Sequence, residues 1–270
     1  MPAYIHRHAL ALLLAASCLG PATFTFAQAP AEKSAEKPAD FEPQSGQAGK
    51  DVVWVPTLQV MVDKMLNMAK VTSRDFVMDL GSGDGRTVIT AAKRGARAQG
   101  IEYNPDMVAL SQRNAEKEGV TARASFMKAD LFETDFSKAS VITMFLLPDI
   151  NLKLRPKILA LRPGTRIVSN SFTMGDWEAD ETANLTTNDG CDTSWCTALL
   201  WIVPARVAGI HKLPQGELEL KQKYQVLSGT LSSEGKTYAL EGKVRGRDVT
   251  ITAGGKTYAG RMNGKSLQLN

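Results

Sequence analysis

The stretch Phe76-Val-Met-Asp-Leu-Gly-Ser-Gly-Asp-Gly-Arg86 constrains the fold more than any other part of this 270-residue chain. An apolar run reaches an acid, Asp79, and then breaks into three alternating glycines, Gly81, Gly83 and Gly85, before a helical pattern begins. Glu102 stands at the end of the next apolar run, 21 residues after Gly81. A strand, a glycine turn, a helix and a second strand ending in an acid make the first half of a nucleotide-binding α/β unit. Glycines let the backbone approach a ligand closely, and the N–H groups at the following helix start favour an electron-rich group. The terminal acid can accept hydrogen bonds from ribose hydroxyls.

The spacing narrows the choice. A dinucleotide fingerprint requires G-x-G-x-x-G, whereas Arg86 occupies the position of the third spaced glycine. An oxidoreductase is disfavoured on that ground. Asp79-Leu-Gly-Ser-Gly-Asp-Gly85 resembles the first motif of class I S-adenosylmethionine-dependent methyltransferases. That resemblance implies S-adenosyl-L-methionine as cofactor, held by Asp79, Gly81, Ser82, Gly83 and Glu102. Asp130, at the end of the third strand, would stand where the family contacts the adenine amino group; its other reading is a cap for the Leu131-Phe132 turn.

Composition adds exclusions and an address. Basic and acidic residues nearly balance at 32 against 28, so charge alone points to no nucleic-acid partner. Arg7 and two histidines precede an apolar run from Ala9 to Leu19, and small residues follow near Ala27. This pattern predicts a secretory signal peptide over residues 1–27 and an exported, periplasmic protein. The apolar run stops at Gly20-Pro21, short of the ~20 residues a membrane-spanning helix needs, so no integral membrane segment is expected in the mature chain. A lipoprotein signal ending at Cys18 is the competing reading. Beyond the signal only His211, Cys191 and Cys196 remain of the histidines and cysteines, which argues against a metal cluster or a Ser-His-Asp triad. The C-x4-C pair of an exported protein reads first as a disulfide; its rival is a redox pair, which would prefer C-x-x-C at a helix start.

Residues 28–50, rich in Ala, Pro, Glu, Lys and Gln, read as a disordered linker. Thr57 can cap a helix whose apolar positions run from Leu58 to Ala69, and Asn104-Pro105 opens another. The fourth strand, Ala139 to Leu147, is a continuous apolar run, as expected when both faces are covered; Asp149 or Asn151 would start the helix after it. Strands alternating with helices predict a Rossmann-like, doubly wound, mostly parallel sheet over residues 51–205, with an antiparallel hairpin at its end clamped by Cys191 and Cys196. From about Gly216 the period becomes two. Six short runs between 217 and 269 predict a small antiparallel β meander within residues 210–270. Gly-Lys-Thr-Tyr occurs in it at 235–238 and again at 255–258.

Val55-Pro-Thr57, the glycine motif with Arg86, and Phe145-Leu-Leu-Pro148 together resemble a narrower group, the small protein-lysine methyltransferases and their exported bacterial relatives. The resemblance covers about residues 51–205. It implies methyl transfer to a protein lysine, with Phe145, Leu146, Leu147 and Pro148 lining the acceptor slot and a protein as substrate. Asn151 and Asp176 are further candidates for orienting the amine. Tyrosine is frequent in that group where Phe145 stands here. The fourth-strand loop lacks the Asn/Asp-Pro-Pro-aromatic motif of enzymes that methylate planar amide or base nitrogens, which argues against a DNA or glutamine acceptor. The alternative is an exported, non-catalytic binding or envelope-assembly module on the same fold.

Overall fold

A computed structural model describes residues 41–270. The expected signal peptide, Cys18 and residues 28–40 of the expected linker lie outside the described residues.

The glycine turn follows from its local chemistry. Strand β1 (Phe76–Leu80) buries Val77 through Leu80 and delivers the chain to the turn, from which α2 (Arg86–Lys93) departs. Gly85, the residue before α2, has φ of +84°, and a Cβ there would stand 2.7 Å from Ser111 and 2.8 Å from Phe126. Only glycine tolerates both the backbone angle and the approach. Strand β2 (Arg97–Glu102) pairs parallel to β1 and ends at Glu102; α3 (Pro105–Lys117) then opens on Asn104, whose side chain accepts the Asp106 N–H at 2.9 Å.

Strands β3 (Ala124–Lys128), β4 (Val141–Met144) and β5 (Arg166–Asn170) complete the parallel part. The order is β3-β2-β1-β4-β5, extended by the antiparallel β7 (Thr197–Ile202) and by β6 (Glu181–Asn184) at the edge. All four residues of β4 are buried, because helices cover both faces of the sheet. On one face α1 (Gln59–Met68) packs Met61, Val62, Met65 and Leu66 against Val88, Ala91 and Ala92 of α2. On the other, α4 (Pro148–Leu159) packs Ile150, Leu154 and Ile158 with Phe136, Trp177 and Trp201. The expected fold class is borne out. Chain order reverses between β1 and β4, which places a crevice at the carboxyl ends of those strands.

The second sheet runs β8 (Gly209–Leu213), β9 (Gly216–Lys223), β10 (Val226–Ser233), β11 (Lys236–Arg245), β12 (Asp248–Ala253), β13 (Lys256–Asn263) and β14 (Ser266–Leu269), each antiparallel to the next. Alternate leucines, valines and Ile251 face inward to a core of their own. The two Gly-Lys-Thr-Tyr segments turn into β11 and β13. Strand β8 escapes the sequence pattern because Ile210, His211, Lys212 and Leu213 do not alternate apolar with polar, and Ile210 is 66% exposed. Gln215 Nε2 donates to Leu269 O, drawing the first hairpin of the meander toward its last strand.

Several local expectations are corrected. Leu58, not Thr57, precedes α1, and Thr57 instead offers its carbonyl to Arg86 Nη1 at 2.9 Å. Helix α4 begins at Pro148 rather than at Asp149 or Asn151, since proline is preset for the first helical position. Asp176, a candidate for orienting the amine, is engaged by the second sheet. Its carboxylate accepts from Arg155 of α4 at 2.7 Å, from the Tyr224 hydroxyl at 3.0 Å and from Lys223 at 3.1 Å, tying the second sheet to the first. Those partners, Lys223 foremost, hold its carboxyl down at about 2. The Tyr224 ring stacks on buried Trp177 beside this junction. Among the described residues no helix is long and apolar enough to cross a membrane.

Candidate functional site

The crevice at the ends of β1, β2 and β4 is a cavity walled by the glycine turn, Glu102 to Asn104, Asp130, Leu131, Met144 to Leu146 and Ile150. Glu102 is held from behind by two backbone donors: Gly83 N–H reaches Oε2 and Asn104 N–H reaches Oε1, each at 2.9 Å. A carboxylate has about four lone-pair sites, so two bonds fix its orientation and leave others for a vicinal diol. Gly83 has φ of +52°, and a Cβ there would meet the Trp54 indole nitrogen at 2.5 Å. The bare backbone therefore gives the indole its place over the turn.

Asp79 lies deeper. It is buried and its Oδ1 accepts the Thr143 hydroxyl of β4 at 2.6 Å. Burial pushes its carboxyl up to about 7; the Thr143 bond opposes this, and the charges of Asp84 and Glu102 add to it. Asp84 is neutralised by the guanidinium of Arg86, at 2.6 Å from Nη2, and Arg86 also holds the Thr57 carbonyl. One side chain thus links the glycine turn to the segment before α1.

The linker expected up to Lys50 reaches too far into that segment. Gly46 N–H donates to Trp54 O and Trp54 N–H to Gln47 O, forming a turn whose residues 47–57 line the cavity. Lys50 Nζ lies 2.7 Å from Asp130 Oδ2 and over the rings of Tyr103 and Phe132, at 5.2 and 5.7 Å from their centroids. Composition suggests no reason for order, because these contacts are made to residues 53 to 82 positions away. With this strap in place the cavity encloses about 120 Å³, below the ~300–1,000 Å³ common for small-molecule sites. Asp130 also accepts the Phe132 N–H at 2.9 Å, so it caps its turn and faces the cavity together.

Of the expected donor-side residues, Asp79, Gly81, Ser82, Gly83, Glu102 and Asp130 all line this one cavity. The expected acceptor residues divide. Phe145 and Leu146 line it, whereas Leu147 is 41% exposed and Pro148 turns outward with it, because the two form the start of α4. Asn151 is buried outside the cavity lining and donates to the carbonyls of Phe172 and Thr173 at 3.2 and 3.1 Å, which holds the loop after β5. The cysteines form the Cys191–Cys196 disulfide at the tip of the β6–β7 hairpin. Sequence reasoning misses Trp54, Lys50, Phe172 and Trp195, since no local pattern marks them.

Comparison with known proteins places the same segment. Residues 79–181 match the ANTKMT methyltransferase domain family. The chain is 47% identical over 133 residues to a protein-lysine N-methyltransferase of Saccharolobus islandicus, covering 48% of this chain and 83% of that protein. It is 36% identical over 104 residues to the adenine nucleotide translocase lysine N-methyltransferase of Mus musculus, covering 38% of this chain and 45% of that protein. Among solved structures it resembles an RNA methyltransferase from Salinibacter ruber in complex with S-adenosyl-L-homocysteine, with a TM-score of 0.52 and 44% identity, covering 57% of this chain and 96% of that one.

Proposed function

This chain belongs to the S-adenosylmethionine-dependent methyltransferases, and from that membership we propose that it methylates the ε-amine of a lysine in a protein. The enzyme class and the S-adenosyl-L-methionine cofactor come with the family. The acceptor does not, since relatives of similar identity are named for protein lysine and for RNA. The observation that carries the lysine reading is the apolar acceptor end: Phe145 and Leu146 border the cavity where β4 ends, with no histidine among the described residues lining it. An apolar slot disfavours the charged form of an amine and so helps it lose its proton.

The residues fit the donor. Glu102, oriented by Gly83 and Asn104, would take the ribose hydroxyls, and Asp130 the adenine amine. When bound, the donor supplies a methyl group already activated on a sulfonium sulfur. The chain's own residues have only to align it with the amine, exclude water and leave room for the lone pair to approach in line.

Lys50 competes for Asp130. Lys50→Ala is expected to tighten S-adenosyl-L-homocysteine binding about two- to fivefold at low salt, the scale of one exposed ion pair. Calorimetric titration checks this, and unchanged affinity would remove Asp130 from the adenine contact. The acceptor is tested with tritiated donor on separate protein and RNA pools from the source cells. Label recovered as methylated lysine after hydrolysis supports the proposal; label confined to RNA sinks it. The apolar leader and the disulfide support export. Fractionation that finds the protein periplasmic, beginning at Gln28, is the expected result, and a cytoplasmic protein retaining residues 1–27 would count against it.

A further inference from the structure

Phe145 marks where the donor cavity meets a second group of side chains. Its ring stacks against Phe172 with centroids 5.9 Å apart and meets Trp195 edge-on at 5.7 Å. Phe172 and Trp195 close the triangle at 5.3 Å. The three come from separate places: the end of β4, the loop after β5, and the hairpin tip between β6 and β7.

Two devices hold the outer pair. Ser171 takes a left-handed φ of 62°, uncommon outside glycine, and the next two carbonyls are clamped by Asn151. This fixes the turn presenting Phe172. The disulfide closes the loop carrying Trp195, with Cys191 buried at its base. Trp195 itself is 36% exposed despite its size.

Aromatic faces attract cations, most strongly those that shed water easily, such as methylated ammonium groups. We propose that Phe145, Phe172 and Trp195 form the recognition site for the methylated ammonium head of the acceptor, with Trp195 as its movable wall. This rests on the lysine reading above and adds a preference for methylation state. Rings in mutual contact leave no room for an ammonium group between them, so one must turn aside. Trp195 is the exposed one. Rotation about its side-chain bonds opens the site while the disulfide keeps its backbone in place.

The test uses the full-length protein saturated with S-adenosyl-L-homocysteine. It is titrated calorimetrically with Nα-acetyl-lysine amide carrying zero, one, two or three ε-methyl groups. Affinity should rise with each methyl, the trimethyl form binding about tenfold tighter than the unmodified one. Trp195→Ala and Phe172→Leu should each abolish the preference while S-adenosyl-L-homocysteine affinity stays within about twofold, as for substitutions outside its contacts. The pair Cys191→Ser with Cys196→Ser should weaken the preference. Equal affinity for all four probes in the wild type, or a preference surviving in Trp195→Ala, overturns the proposal. So does a loss, in Trp195→Ala, of discrimination between S-adenosyl-L-methionine and its homocysteine product with the lysine preference unchanged; that result would give the rings to the sulfonium. Failure of the homocysteine product to bind at all would instead strike the underlying donor reading, and the first titration reveals it.

Discussion

Replacing Glu102 by alanine is expected to lower affinity for S-adenosyl-L-homocysteine about 10²- to 10³-fold, because hydrogen bonds to a charged acceptor are worth ~1.5–3 kcal/mol each. Two effects combine. The variant loses the acceptor for the ribose hydroxyls, and it strands the N–H groups of Gly83 and Asn104 that now end on the carboxylate. Glu102→Gln should fall between, since an amide oxygen can keep one backbone bond but its nitrogen repels the other donor. Calorimetry on the three proteins measures this, with circular dichroism as the check that the fold survives. Affinity within a few-fold of wild type in Glu102→Ala would move the ribose contact elsewhere in the cavity.

Asp79→Asn should stabilise the protein and weaken the donor site. The folded Asp79 carboxyl is pushed up to about 7 from an ordinary 3.8. A group with a raised folded-state pKa binds more protons folded than unfolded between those values, so stability falls as pH rises through that window. Below it both states are protonated and the difference vanishes; above it the cost is fully present. Asparagine keeps an oxygen for the Thr143 hydroxyl but has no charge to bury. The variant should match wild type near about pH 4 and exceed it by roughly 2–4 kcal/mol near about pH 8. Urea unfolding across that range reads the difference directly. A variant less stable than wild type at the upper end would show that the carboxylate is well solvated or compensated when ionised. The expected loss of donor affinity follows the trade between stability and function at strained sites.

These two residues are visible without coordinates because the chemistry that places them is local. Asp79 ends a buried strand, glycines at fixed spacing let the chain turn beneath a ligand, and Glu102 ends the neighbouring strand in register. The same holds for the alternating meander, whose hairpins pair each strand with the next. The cysteine pair is equally legible, since only five positions separate its members.

What only the tertiary structure decided are the contacts between elements far apart in the chain. Lys50 reaches Asp130 across 80 positions, and its segment has the composition of a linker. Asp176 reads from the sequence as a candidate for orienting an amine, and only the fold brings Arg155, Lys223 and Tyr224 onto it. Leu147 and Pro148 belong by motif to the acceptor slot, yet the start of α4 carries them outward. Trp195 meets Phe145 only because the β6–β7 hairpin folds beside the parallel strands. A motif records what neighbouring residues require of the backbone. Which distant side chains meet at the strap, at the junction of the sheets and at the hairpin tip is set by how the elements pack, and no spacing along the chain marks those contacts.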